Sequence, residues 1–411
     1  MLQRLFFLFN MQSHVDGQVA EWLCRGLQIL GCRFDSDPGL QKNSIMIKSL
    51  TLTDFRNHKV SRIETHDAKN IIIIGENGAG KTAILEAVSM LAGDKGMRGA
   101  DMGDIACFSG NGGFSVFSET IDGDSCCVFF NPGDNNRHAK INDENATLGE
   151  LGNMLRIVWI SPKEDRLFVD SAADRRAFFD RLANNFDSSH SGRTAKFARL
   201  LSERAFALKN SPDSKWLDAL DNQLAAVAVA IAATRVQYAG EVNYFLNQFS
   251  VSVDGLVEKM IIGGLPAAAA EREYRKYLSE TRELIGDKMI LDGPHKSDFG
   301  MFNNELKLPV RLTSTGQQKN ALFDLILAHT NLLYTKTNHN CIVLFDEAAA
   351  HLDSNSRARI FKSLDKTHTQ VWATGLDINS FIDVSDAVIV TCQNGEINNI
   401  LYRKEGHNGT N

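Results

Sequence analysis

Ile71-Ile72-Ile73-Ile74-Gly75-Glu76-Asn77-Gly78-Ala79-Gly80-Lys81-Thr82 joins an unbroken β-branched run to a G-x-x-x-x-G-K-T octapeptide. The isoleucines predict a buried strand, and Ile84, Leu85, Val88 and Leu91 beyond the loop recur at helical spacing. A strand before and a helix after distinguish a phosphate-binding loop from a chance match. Glycines 75, 78 and 80 accept positive φ, so the N–H groups from Gly75 through Glu76, Asn77, Gly78, Ala79 and Gly80 can converge on nucleotide phosphates at the positive end of the helix. Lys81 is expected to supply a mobile cation to the β- and γ-phosphates, and Thr82 a hydroxyl ligand for Mg²⁺.

A second half of the same site is expected near residue 346. Cys341-Ile342-Val343-Leu344-Phe345 is a continuous apolar run suited to a buried parallel strand, and it ends in Asp346-Glu347. At that position Asp346 is expected to hold Mg²⁺ through its water shell and Glu347 to polarise the attacking water. Upstream, Thr313-Ser314-Thr315-Gly316-Gln317-Gln318-Lys319 leads into a helix with Leu322, Leu325 and Ile326 on its apolar stripe. Ser314 and Gly316 at a helix start make a further anion site. One nucleotide seldom needs two γ-phosphate sites from one chain. The economical reading is therefore that Ser314, Gly316 and Gln317 cap ATP held by a partner subunit, so that dimerisation depends on ATP.

The 411-residue chain exceeds the usual size of one core, so two domains or one domain with a large insertion are expected. A hydrophobic content of 43%, a charged content of 23% and seven prolines describe an ordinary globular protein. The seven cysteines form no C-x-x-C pair and suit a reduced, cytoplasmic compartment. No consecutive apolar run approaches the ~18–20 residues of a membrane helix. A formal net charge of −6 gives no global attraction to nucleic acid, so any such binding needs a local basic surface.

The expected organisation is an α/β head split by a helical insertion. Residues 1–45 precede the first strand-like pattern, with Met46 just before it, and are read as an extension or an upstream-start artefact. Residues 46–165 read as the first part of the head, with strands at 47–53, 114–117, 125–130 and 156–160 and a polar turn at Asp54-Phe55-Arg56-Asn57-His58. Residues 166–288 read as helices, with Trp216, Leu220, Leu224, Val227, Ile231, Tyr238, Val242 and Phe245 as a core stripe. β-type sequence resumes near Met289. Residues 289–403 then form the second part of the head, and 404–411 a polar tail.

Ser-x-Gly-Gln before Asp-Glu, with Leu352-Asp353 later, resembles the ABC-type ATPase heads of transporters, SMC proteins and DNA-repair ATPases. The resemblance narrows to the RecF family of bacterial recombination mediators. It is carried by Asp54-Phe55-Arg56-Asn57-His58, by Ser161-Pro162 with Arg175-Arg176-Ala177-Phe178-Phe179-Asp180, by Gly293-Pro294-His295-Lys296-Ser297-Asp298 and by Ala350-His351-Leu352-Asp353. These motifs run from about residue 46 to 403 in the family's order. The resemblance implies an ABC-type P-loop ATPase head with a helical lobe, with Arg56 and Asp353 among the nucleotide contacts. It also implies weak, DNA-stimulated ATP hydrolysis. The implied role is in DNA replication and recombinational repair, as an ATP-dependent homodimer on single-strand gaps and ss/ds junctions that loads RecA with RecR and RecO. Two departures stand out. Asp170 and Ala172 occupy positions where the family usually has glycine and proline, and Trp372-Ala373-Thr374-Gly375 stands where many ABC ATPases carry a switch histidine.

Between Asp174 and Lys209 eight Lys/Arg face four acids. This makes Arg175, Arg176, Arg193, Lys196 and Arg199 candidates for phosphate contact with DNA. Arg175 and Arg176 serve equally well as structural ion-pair partners. A transporter ATPase subunit is the rival reading, and the long insertion and the Gly293-to-Asp298 motif weigh against it. A structural SMC head is a second rival, but it requires a long coiled coil that the insertion cannot make.

Overall fold

A computed structural model describes residues 46–403 apart from 108–109, 211–212, 283–290, 339, 348–351, 353, 368 and 383. The expectations for residues 1–45 and 404–411, for a β-type restart near Met289 and for Ala350, His351 and Asp353 lie outside the described residues.

The isoleucine run forms β3 (Asn70–Ile74) at the centre of a six-stranded sheet. Its order is β15 (Glu396–Arg403), β14 (Ala387–Gln393), β3, β13 (Gln370–Gly375), β12 (Ile342–Phe345) and β8 (Ile157–Ile160). All neighbours are parallel except β15, which pairs antiparallel with β14 at the edge. Because side chains alternate across a strand, neighbouring residues enter opposite cores. Ile72, Val343, Phe345, Val371 and Ala373 face one apolar layer, while Ile71, Ile73, Ile342, Leu344 and Trp372 face the other. Both faces are covered, which is why these strands read as unbroken hydrophobic runs rather than alternating ones.

The second layer holds α1 (Lys81–Met90) between the parallel sheet and an antiparallel one, β2-β1-β4-β5-β6-β7. That sheet contains β1 (Ile47–Phe55), β2 (His58–Glu64), β4 (Phe114–Thr120), β5 (Ser125–Phe130), β6 (His138–Ile141) and β7 (Glu144–Ala146). The polar turn closes a tight hairpin in which Phe55 pairs with His58, with Arg56 at φ 54°. Short helices α2 (Met102–Ile105) and α3 (Leu148–Met154) complete this side. On the other layer lie α4 (Ala172–Phe186), α9 (Thr315–Thr337) and α10 (Ser354–Asp365).

The insertion is built on α5 (His190–Asn210), α6 (Ser214–Asn243), α7 (Leu256–Ile262) and α8 (Ala267–Glu280) around their own core. By length and composition α6 would suffice to cross a membrane, but 61% of its most apolar window is buried inside the protein. Leu220, Leu224, Val227, Ile231, Tyr238 and Val242 are buried as the stripe predicts, whereas Trp216 is exposed at the start of the helix. The region is not wholly helical. Phe249–Asp254 is strand β9, paired antiparallel with β10 (Asp298–Asn303), and a short β11 (Leu308–Pro309) completes a three-stranded sheet.

A buried charge cluster ties this bundle together. Arg204 Nε donates to Asp221 Oδ1 at 2.6 Å, Arg204 Nη2 donates to the Leu278 carbonyl, and Arg282 Nε reaches Asp221 Oδ2 at 2.8 Å. Asp221 is fully buried. Asp221→Ala strands a buried guanidinium and is expected to cost about 3–5 kcal/mol. Chemical denaturation followed by circular dichroism checks this, and a midpoint unchanged from the parent would contradict it.

Candidate nucleotide site

Three strand ends converge. β13 lies between β3 and β12, so the loop after β3, the acids after β12 and the end of β13 share one rim of the parallel sheet, where α/β folds bind ligands. Gly75, Gly78 and Gly80 all have positive φ, at 156°, 82° and 114°. Gly80 opens α1 with no side-chain cap, leaving the first-turn N–H groups to an external acceptor. A β-carbon at Gly75 would lie 2.2 Å from the Cys392 carbonyl oxygen, so only glycine fits there.

The loop is braced from outside by two hairpins. The Ala79 carbonyl accepts from Gly395 N at 2.8 Å, Asn57 Nδ2 at 3.3 Å and the Cys392 thiol at 3.1 Å. His58 Nε2 lies 3.1 Å from the Gly80 carbonyl and Nδ1 lies 2.8 Å from Ser61 Oγ. Burial pushes the His58 imidazole below its usual pKa, partly offset by the Gly80 and Gly395 carbonyls, so it works as a neutral brace.

Lys81, almost fully buried, donates from Nζ to the Gly75 and Glu76 carbonyls at 2.7 and 2.8 Å. Thr82 Oγ1 donates to Asp346 Oδ1 at 2.9 Å. Burial raises the Asp346 carboxyl above the usual carboxylate range, and the Thr82 and Thr374 hydroxyls draw it partly back. A hydroxyl and a buried carboxylate on one spot form a hard-oxygen pair that fits Mg²⁺, and a cation there would reverse the penalty on the charged form.

These groups open on a cavity of about 900 Å³ whose walls include Asn77, Gly78, Gly80, Lys81, Thr82 and Glu347. Arg56 also lines it, with its guanidinium bound to Glu86 at 2.9 and 2.6 Å and to the Asp104 carbonyl at 2.6 Å. Arg98, Asp104 and Cys107, which no sequence motif singled out, also line the cavity. Arg98 and Cys107 sit in irregular segments and Asp104 in the four-residue α2, all too short to carry a periodic signal. Glu76 is exposed at the tip of the loop, and Ala79 is buried beneath it.

Ser314, Gly316 and Gln317 are not among the residues lining this cavity. Ser314 instead caps α9: its Oγ accepts from Gln317 N, the Gln317 side chain returns to Ser314 N, and Ser314, Thr315 and Gly316 are exposed. The helix end is preformed and faces outward.

Arg175 makes a two-pronged pair with Asp298, both contacts at 2.8 Å, and Arg176 donates to the Ser297 carbonyl at 2.7 Å. Both guanidiniums, each partly exposed, are engaged as structural partners, the alternative their sequence position also offered. Two further charges of the basic segment are internal, Arg181 stacked 3.9 Å over Trp159 and Arg204 in the Asp221 cluster. Arg193 pairs with Asp187 and Thr234. Lys196 and Arg199 remain exposed on α5. The motif from Arg175 to Asp180 and the motif from Gly293 to Asp298 form a joint. Asp180 holds Arg235, Arg235 reaches Glu258 and the Pro294 carbonyl, and Ser297 Oγ donates to Glu258.

A family model described as the RecF/RecN/SMC N-terminal domain matches residues 46–399. The RecF DNA replication and repair protein of Rhizobium leguminosarum bv. trifolii is 34% identical over 374 residues, covering 86% of this chain and 99% of the relative. The chain belongs to the RecF family. The RecF protein of Rhizobium meliloti is also 34% identical, over 353 residues that cover 82% of this chain and 93% of the relative. A solved structure of the recombination mediator RecF with ATP superimposes with a TM-score of 0.74 at 22% identity, over 87% of this chain and 99% of that one. At that identity the likeness speaks for the fold, and the fold is that of an ABC-type P-loop ATPase head, as expected from the RecF-like motifs.

Proposed function

We propose that this RecF-family chain is a weak, DNA-stimulated ATPase that closes as an ATP-dependent homodimer on single-strand gaps and ss/ds junctions, serving DNA replication and recombinational repair in the cytoplasm. The observation that carries it is the division of the site. Lys81, Thr82 and Glu347 share one cavity while the capped end at Ser314 stands outside it. An isologous pair in which each capped helix end meets the partner's nucleotide uses both parts, each protomer giving and receiving. Thr82 and Asp346 would hold Mg²⁺, which when bound neutralises charge on the phosphate oxygens. Lys81 would bind the phosphates and Glu347 would take the proton from water. Asp353 is proposed to lie along the same seam. Lys196 and Arg199, exposed on α5, are proposed to meet DNA phosphates, with Arg193 beside them. Partnership with RecR and RecO is supported by the RecFOR pathway in which a structurally similar protein is placed, and RecA is proposed to act downstream of them.

The test uses Ser314. Ser314→Arg places a bulky side chain at the seam, while Ser314→Asp keeps a capping oxygen but sets a carboxylate against phosphate. Both are expected to abolish ATP-driven dimers in sedimentation while ATP binding by calorimetry stays within about threefold of the parent. Normal dimers in Ser314→Asp would refute the shared site. Turnover measured alongside, with and without gapped DNA, tests the stimulation.

A further inference from the structure

Thr374 occupies the place where many ABC heads carry a histidine, yet its surroundings give it a different task. The residue is fully buried at the end of β13 and does not line the nucleotide cavity. Its hydroxyl oxygen accepts a hydrogen bond from Glu347 N at 2.8 Å and lies 3.0 Å from Asp346 Oδ1 and 3.5 Å from the Phe345 carbonyl. A threonine hydroxyl has one proton and two lone pairs, so accepting from the amide and donating to Asp346 uses its donor and one acceptor position.

The amide it holds is strained. Glu347 sits at φ 56°, a left-handed conformation that costs a non-glycine residue about 1–2 kcal/mol and persists only where neighbours enforce it. The enforcement comes from both sides. Asp346 N donates to the Ile160 carbonyl of β8 at 2.9 Å, and Glu347 N donates to Thr374 of β13. β8 and β13 are the two neighbours of β12, so the chain leaving β12 is tied left and right at successive residues. Thr374 is itself fixed in the sheet, where it pairs with Ile73 of β3.

We propose that Thr374 is a positioning residue for hydrolysis. From behind the strand ends its hydroxyl fixes the Glu347 backbone and Asp346 Oδ1, and so aims both carboxylates into the cavity. It does not touch the nucleotide. This inference rests on the reading of the site as an ATPase, and it assigns to the acidic pair a support that no nucleotide contact supplies.

The experiment compares Thr374→Val, which keeps the β-branched shape and removes the hydroxyl, with Thr374→Ser, which restores the hydroxyl. Turnover and KM are measured on the full chain with Mg²⁺-ATP and gapped DNA, and calorimetry gives Kd for ATP and ADP. Thr374→Val is expected to lower kcat at least about tenfold, since misplacements near 1 Å cost ~10²-fold. KM and the ATP/ADP Kd ratio should stay within about threefold of the parent, because no binding contact is removed. Thr374→Ser should recover most of the loss. An unchanged kcat in Thr374→Val, or no recovery in Thr374→Ser, overturns the inference alone. A selective loss of ATP over ADP affinity also overturns it, because it would make Thr374 a γ-phosphate contact. Absence of turnover in the parent chain overturns the ATPase reading together with it. If Thr374→Val does not fold, Thr374→Cys carries the same comparison, its thiol being a weak hydrogen-bonding group.

Discussion

Glu347→Gln is expected to lower ATP turnover by about 10²–10⁴-fold, the range assigned to a positioned general base, and to leave ATP affinity nearly unchanged. Glu347 lines the cavity and its backbone is held at φ 56° through the Thr374 hydroxyl. Glutamine has the same shape, so the backbone tether and the packing survive. What is lost is the ability to accept a proton from water. Bound ATP would then persist, and with it the nucleotide-dependent dimer, which sedimentation should detect as a species that outlives that of the parent. Turnover equal to the parent's would remove Glu347 as the base and leave Asp346 as the only acid of the pair with a role.

Lys81→Ala should weaken ATP binding by about 30-fold to several thousand-fold, the equivalent of losing 2–5 kcal/mol from a buried charge contact. The ammonium is almost fully buried and is held by two loop carbonyls at the positive end of α1, the place to which phosphates would be drawn. Alanine is a good helix former, and the loop keeps its braces at Ala79 and Gly80, so the variant should fold. Calorimetry provides the measurement. Affinity within about threefold of the parent would mean that the loop does not hold the phosphates.

Much of the head was legible because its signals are local. Four adjacent isoleucines followed by glycines that need positive φ, and a five-residue apolar run ending in two acids, each declare their conformation without reference to the rest of the chain. β9 was not legible in the same way. Phe249-Ser250-Val251-Ser252-Val253-Asp254 alternates in burial, but it lies among helices and its pairing partner, Asp298–Asn303, arrives only through tertiary structure. The first strand and the turn of the β1–β2 hairpin were legible, but its returning strand β2 was not, for another reason. Its two-residue turn is Arg56-Asn57 rather than the Asn-Gly or Asp-Gly that announces a tight hairpin.

The basic segment shows the limit of counting charges. The tally from Asp174 to Lys209 is correct, yet Arg175, Arg176, Arg181 and Arg204 turn inward to Asp298, the Ser297 carbonyl, Trp159 and Asp221. A sum over sequence is blind to direction, and in this segment Lys196, Arg199 and Lys209 are the exposed charges, with Arg193 half-exposed beside Asp187. The same geometry gives the RecF-like motifs around Arg175 and Ser297 a mechanical meaning, because they meet at the joint between insertion and head.

Residues 57, 79 and 395 come from distant parts of the chain, yet they meet at a single carbonyl oxygen. The nucleotide loop is thus moulded in advance by two hairpins, one of which also lends Arg56 and Asn57 to the cavity wall, and little of the binding free energy is diverted to shaping it. What remains is available for recruiting the second protomer. A lesion in the last hairpin, even one remote from every phosphate, should therefore loosen the grip on ATP before it disturbs the rest of the fold.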